Sequence, residues 1–437
     1  MSSTAMTVLF IVSLLAGVMT GLPIAFVLIG LSALFLIVFA SPTIAYATVL
    51  VSFNTMTTDV YIAIALFCFM AFTLEFSGIA QSLYEAMHQW FGGLRGGLAM
   101  GTVAICTVLA ATTGLAATGV VTMGVIALPE MLKRGYNKDI SVGCIPFGGT
   151  LGQLIPPSVL MIVVGGYAQL SIGKLFIGGI IPGLLMSLLA IIYIGVKCLI
   201  NPEAGPAMAP EERGTFAERV KSLKGVVAPV LLIIAVLGGI YRGIATPTEA
   251  GSIGAIGALV CAAINHRFSL GNVRKAGLNT IKVMVMIMWL LVGGSFFSSL
   301  LNATGAGQVI SGIMTGLPLG AYGILLVMMV IGLFLGMFID AVAITMITIP
   351  VFLPVIYHLG FDPLWFGLLF TINMLIGNLT PPFGFGLFYI RGVTPPDISM
   401  GDIYRSVLPY TFIMLFVLVL GIVFPPLLTW LPNSMIK

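Results

Sequence analysis

Charge is what this sequence has least of. Asp, Glu, Lys and Arg make up 7% of its 437 residues, against about a quarter in a soluble domain. That scarcity excludes a water-soluble protein of this length, because too little polar surface exists to cover the apolar remainder. The 18 basic and 14 acidic residues are scattered, so no basic patch points to nucleic acid. Cys68, Cys106, Cys144, Cys198 and Cys261 lie far apart, with no C-x-x-C. Buried free thiols are expected, and neither disulfides nor a transition-metal site. His88, His266 and His358 share no ligand spacing. The chain has no G-x-x-x-x-G-K-[ST], no H-E-x-x-H and no Gly-x-Ser-x-Gly, so nothing marks it as an enzyme. A basic n-region and a small-residue cleavage site are missing at the start. Residues 5–20 therefore read as a first span, not as a removed leader.

What is present is apolar. Hydrophobic residues make up 59% of the chain, and the mean hydropathy is +1.17. Runs of about 20 apolar residues, each long enough to span a bilayer as a helix, recur throughout. They fall near 5–20, 22–40, 58–80, 140–168, 175–199, 226–241, 247–265, 277–302, 362–390 and 404–430. A β-barrel would show shorter alternating segments. The expected fold is therefore an all-α polytopic membrane protein. Two further stretches, 97–131 and 321–356, are too long for one span and break in the middle. The one long polar loop, 201–225, reads as a linker between two halves.

The halves repeat at a fixed offset. Gly152 in "GQLIPPS" plus 225 is Gly377 in "GNLTPPF", and Pro156 and Pro157 map onto Pro381 and Pro382. Pro129, Gly135 and Tyr136 map in the same way onto Pro354, Gly360 and Phe361. Such a duplication is a mark of secondary transporters. Charge placement orients the copies. Arg95, Lys133, Arg134 and Lys138 flank 97–131, which puts both its ends in the cytoplasm by the positive-inside rule. The ends of 321–356 carry no Lys or Arg and read as periplasmic. Each broken stretch then enters and leaves on one side, as a re-entrant hairpin. The expected domains are a first inverted repeat over 1–200, a cytoplasmic linker over 201–225 and a second inverted repeat over 226–437. Each repeat has about five spans and one hairpin, and both termini lie outside.

Hydrocarbon tolerates broken helices only where protein or a water-filled cavity satisfies the freed backbone. Each Pro-Pro removes two N–H donors and frees upstream carbonyls, while Gly152 and Gly377 allow a second chain to approach closely. Carbonyl oxygens aimed at one point suit a small hard cation, and half-helix N-termini suit an anion. The hairpin tips, "AATTGLAATG" (110–119) and "GMFIDAVAIT" (336–345), supply the opposing walls. Two tips and two broken helices would meet near the midplane as two ion sites around one substrate site. A Pro-Pro pair alone is more often a kink, and small residues at a tip also serve close helix packing. Asp340 is either a helix N-cap or an ion or substrate contact. Glu75, Asn302 and Glu249 read as caps or interhelical hydrogen bonds. Trp90, Trp365 and Trp430 read as interfacial anchors. Residues 40–59 and the connector 266–275 read as arm helices on the membrane surface.

The segments "YRGIATPTEAGSIGAI" (241–256), "GMFIDAVAITMITIPVFLPV" (336–355), "GQLIPPS" and "GNLTPPFGFGLF" (377–388) together resemble the large membrane subunit of the tripartite ATP-independent periplasmic (TRAP) transporters, over essentially the whole chain. The resemblance implies a sodium-coupled secondary importer of a small organic acid, a carboxylate or sulfonate, in the bacterial inner membrane. It implies a small four-helix membrane subunit, a periplasmic substrate-binding protein and an elevator motion. By family pattern one Na+ site uses Ala110, Thr113, Gly152, Ile155 and Pro157, and the other uses Gly336, Gly377, Thr380 and Phe383. Thr112, Gly114, Ser158, Asp340 and Thr345 are then expected beside the substrate. Thr112 and Thr113 stand where the family would have serine-type residues, and threonine keeps the hydroxyl. The alternatives are a stand-alone sodium–dicarboxylate symporter with similar hairpins and, more remotely, a channel or membrane enzyme.

Overall fold

A computed structural model describes residues 3–209 and 215–435, and no strand occurs among them. Part of the polar loop, 210–214, lies outside the described residues. Among the described residues, seven helices are long and apolar enough to cross a membrane, or eight if one bent pair counts as a span. The first half runs α1 (Ser3–Met19), α2 (Ile24–Phe35), α3 (Pro42–Met56), α4 (Ile62–Phe76), α5 (Ile79–Phe91), α6 (Gly97–Thr113), α7 (Ala116–Lys133), α8 (Lys138–Thr150), α9 (Val159–Ala168) and α10 (Ile172–Ile200). The second runs α11 (Phe216–Ser222), α12 (Lys224–Tyr241), α13 (Pro247–Ile264), α14 (Leu270–Thr304), α15 (Ala306–Thr315), α16 (Ala321–Gly336), α17 (Ala341–His358), α18 (Pro363–Leu379), α19 (Phe385–Arg391), α20 (Met400–Val423) and α21 (Pro426–Asn433).

The 225-residue offset governs element boundaries as well as motifs. Adding 225 to the ends of α7, 116 and 133, gives 341 and 358, the ends of α17. Adding it to 138, the start of α8, gives 363, the start of α18. Both long broken stretches resolve into helix pairs. Gly114 and Leu115 separate α6 from α7, and Met337 to Asp340 separate α16 from α17. Both Pro-Pro segments are breaks: α8 passes through a 3₁₀ turn and an irregular stretch before α9, and α18 and α19 are separated by 380–384.

Apolar patterning decides which helices lie inside. In α18 every residue from Leu364 to Leu379 is buried, and α8 is buried from Ile140 to Thr150. Both are buried on all faces, as helices enclosed by others are. Around them pack α6, α7, α10, α16 and α20. A second group is formed by α4 against α13 and α14, with α14 also on α2 and α3 and α12 on α13. The outward faces of α1, α12, α14 and α20 keep large apolar side chains exposed, among them Leu231, Ile281 and Phe416, as a lipid-facing surface requires.

Three expectations need correction. The connector 266–275 is not a separate arm. From Leu270 it forms the first turns of α14, a single 35-residue helix capped by Ser269. Residues 42–56 do form a separate helix, because the Thr57 and Thr58 hydroxyls donate back to the Phe53 and Asn54 carbonyls at a break. Trp365 is not an interfacial anchor: it is 3% exposed and its indole N–H donates to the Gly421 carbonyl at 2.9 Å. Finally, α5 and α15 are short helices where the sequence showed no span. The apolar face of α5 (Ile79, Ala80, Leu83, Tyr84, Ala86) is buried, and Gln81 and Glu85 on the opposite face bond each other.

Candidate functional site

The first hairpin tip rests on the first Pro-Pro break. Gly114 takes a left-handed backbone, φ +61°, and a Cβ placed there would stand 2.4 Å from the Pro157 carbonyl oxygen. A Cβ on Gly152 would lie 3.6 Å from the Ala110 Cα and 3.5 Å from the Leu115 nitrogen. Ala110, Gly114, Gly152 and Pro157 thus meet at one place. The Thr113 hydroxyl donates to the Leu109 carbonyl at 3.0 Å. Its proton is committed and its lone pairs remain. The Ile155 N–H donates to the Leu151 carbonyl at 2.7 Å, and its side chain packs on Gly183 of α10.

The second tip rests on the second break by a glycine-on-glycine contact. A Cβ on Gly336 would lie 3.0 Å from the Gly377 Cα, and one on Gly377 would lie 2.7 Å from the Gly336 Cα. The Gly384 N–H donates to the Met337 carbonyl at 2.9 Å, which fixes the tip to the start of α19. The Thr380 hydroxyl donates to the Ile376 carbonyl at 2.6 Å, again leaving lone pairs. The Phe383 ring packs between Phe338 and Phe388. Pro156–Pro157 and Pro381–Pro382 are both cis. Each place therefore offers hydroxyl lone pairs and backbone carbonyls, with a backbone approach that any side chain would block. A small hard cation fits such an all-oxygen donor set.

Between the tips lies a cavity of about 270 Å³. Residues 114–118 of the first tip, Asp340 and Val342 of the second, and Gln153 and Asn378 of the two breaks line it. Phe72 of α4 and Met286 and Ile287 of α14 close it from the other helix group. Asn378 donates through Nδ2 to Gln153 Oε1 at 2.7 Å. These residues are equivalent in the repeat, since 153 plus 225 is 378. The bond joins equivalent positions of the two sequence halves. The sequence reading passed over both, although each sits at the same register of the repeated Gly-x-Leu-x-Pro-Pro device.

Asp340 serves as a cap and also faces the cavity: it begins α17 and accepts from the Val342 N–H at 2.9 Å. Gly114 also lines the cavity. Ser158, Thr112 and Thr345 do not line it. Ser158 donates to the Gln153 carbonyl at 2.6 Å and caps α9 through the Met161 N–H. Thr345 is fully buried and donates to the Ala341 carbonyl. Thr112 donates to the Leu109 carbonyl and faces a much smaller cavity of about 10 Å³ beside Glu75. Glu75 accepts from the Thr122 hydroxyl at 3.2 Å, an interhelical bond between α4 and α7. Glu249 closes a capping box with Thr246.

Residues 11–427 match the family described as "Tripartite ATP-independent periplasmic transporter, DctM component". The chain is 34% identical over 406 residues to a C4-dicarboxylate TRAP transporter large permease protein of Pseudomonas aeruginosa, covering 93% of each. It is 30% identical over 456 residues to a protein of the same description from Vibrio cholerae, covering 98% of each. It is 32% identical over 404 residues to an isethionate TRAP transporter permease protein of Oleidesulfovibrio alaskensis, covering 92% of this chain and 62% of that one. Among solved structures, the YdaH transporter of Alcanivorax borkumensis superposes with a TM-score of 0.65 at 16% identity, covering 97% of this chain and 99% of that one. At that identity the likeness concerns the fold alone.

Proposed function

From the premise that this chain belongs to the DctM component family of TRAP transporters, as a multi-pass large permease and not an enzyme, we propose that it is a sodium-coupled importer of a small organic acid, a carboxylate or sulfonate. Its place is the bacterial inner membrane. It works with a small four-helix membrane subunit and with a periplasmic protein that delivers the substrate. The observation that carries this reading is the pairing of each hairpin tip with a broken helix, twice, around one cavity. In transporters, broken helices near the midplane bind substrate and coupling ions.

Bound Na+ would supply positive charge beside a site that has no basic side chain among the described residues. Ala110, Thr113, Gly152, Ile155 and Pro157 would hold one ion, and Gly336, Gly377, Thr380 and Phe383 the other. The two helix groups suit an elevator, in which the group carrying the tips slides against α4, α13 and α14. The repeats then run in opposite senses, with the ends of α6–α7 in the cytoplasm and those of α16–α17 in the periplasm. The test is uptake by the chain reconstituted with its small subunit and binding protein, with sodium or choline outside. Sodium should drive accumulation. Equal uptake in choline would remove the coupling.

A further inference from the structure

The cavity is built from equivalent parts that are finished differently. Position 115 plus 225 is 340, so Leu115 at the head of α7 corresponds to Asp340 at the head of α17. Both heads line the same cavity of about 270 Å³. The first turn of any helix presents N–H groups without intrahelical partners and the positive end of the helix dipole. At α17 the chain supplies its own anion, because the Asp340 carboxylate accepts from the Val342 N–H at 2.9 Å. At α7, an 18-residue helix, no side chain caps the first turn.

A second observation points to a ligand in the same cavity. Asn378 lines it and is 2% exposed. Its Nδ2 is committed to Gln153, while its Oδ1 is buried with no hydrogen-bond partner. Leaving a buried acceptor without a donor is unfavourable, so a ligand that brings a donor is favoured there. Among the described residues, no Lys, Arg or His lines the cavity. Apart from bound Na+, a carboxylate entering it is therefore held by neutral donors, and the free head of α7 offers backbone N–H groups there.

We propose that the cavity binds its substrate through one carboxylate at the head of α7, that Asp340 occupies the equivalent anion position at α17, and that a hydroxyl or amino group of the substrate donates to Asn378 Oδ1. The substrate class is thus a monocarboxylate carrying a hydroxyl or amine. A second carboxylate would meet Asp340 with no basic side chain between them. This assignment rests on reading the cavity as the substrate site.

The test is thermal stability of the full chain in lipid nanodiscs, in sodium, with lactate, acetate or succinate as probes. Lactate should raise the melting temperature most, acetate less and succinate least. Leu115→Asp would copy the second repeat and fill the α7 head with a tethered carboxylate. It should fold with an unchanged or higher melting temperature and bind lactate roughly tenfold or more weakly. Asp340→Ser, which keeps a neutral cap, should gain a response to succinate. A folded Leu115→Asp chain that answers lactate as the wild type does would overturn the assignment. So would a wild type stabilised as well by succinate as by lactate, or by none of the three. Failure of sodium-driven uptake alongside a normal lactate response would instead remove the coupling and leave this site standing.

Discussion

At the first tip, α6 and α7 are joined by Gly114 and Leu115, and every residue from Leu109 to Gly114 is buried. At the second, four residues join α16 to α17, and an aromatic edge stays open. Phe334, Phe338 and Phe383 are 60%, 41% and 51% exposed, each ring centroid within 5.5 Å of the next. The register is the same, but the first tip is enclosed by protein and the second presents one side outward. An enclosed tip can shift only by carrying its neighbours with it. The second loses fewer buried contacts if it parts from its broken helix, which is how low-stability elements are recognised in a fold.

That difference can be probed by substitution, and the largest effect is expected at Gly114. Gly114→Ala places a methyl against the Pro157 carbonyl at a left-handed backbone position. Strain of this kind costs about 1–3 kcal/mol, and loss of the tip contact should abolish uptake. Gly135, also left-handed but with nothing within 4 Å, is the control. Gly135→Ala should lower the melting temperature slightly and leave uptake intact. Equal effects at the two glycines would deny the first tip its special packing.

Thr380→Val keeps the volume and removes one oxygen at the second tip. The sodium concentration for half-maximal uptake should rise roughly three- to tenfold, as for loss of one neutral polar contact, with expression unchanged. An unaltered sodium response in folded protein would return Thr380 to a purely helical role.

The bonded amide pair sharpens the comparison further, since it has one member in each half. A double-mutant cycle with Gln153→Ala and Asn378→Ala should give a coupling energy of about 1 kcal/mol in thermal stability. Additive losses would mean that the 2.7 Å bond contributes nothing to stability.

The smallest effect concerns pH. Lys138, at the head of α8, bonds the exposed Asp397 carboxylate at 3.0 Å. This hydrogen bond holds that carboxyl below its usual range. A depressed carboxyl contributes stability above its unfolded-state pKa and loses it as pH falls through the folded value. The contribution should fade only below about pH 4. Lys138→Met should lower stability slightly at neutral pH, where the contribution is present, and change nothing well below about pH 4, where it is already lost, which unfolding scans at both pH values would check.

Much of this layout is legible from particular residues. The scarcity of charge requires lipid, and Gly152, Pro156 and Pro157 with their counterparts at 377, 381 and 382 mark the breaks. The ends of α7 and α17 agree with the offset because turn-forming glycines, Gly135 and Gly360, sit at equivalent positions. What escaped has physical reasons. Helix α5 is too short and too polar on one face to register as a span. Trp365 has the same type and position as an anchor, and only its partner, the Gly421 carbonyl, marks it as core. Gln153 and Asn378 are ordinary amides until the fold brings them together. Asp340 permits both readings by sequence, and in three dimensions it is a cap that also lines the cavity.

The central claim is that the two halves are one unit set in opposite senses around a shared cavity. Lys133 and His358 are equivalent positions at the ends of α7 and α17, 133 plus 225 being 358, and both are exposed. All five native cysteines are buried, so Lys133→Cys and His358→Cys can be probed singly on a cysteine-depleted chain with a membrane-impermeant maleimide. The account predicts labelling of position 133 from the cytoplasmic side and of position 358 from the periplasmic side. Labelling of both from the same side would contradict it, and the paired ion sites would fall with it.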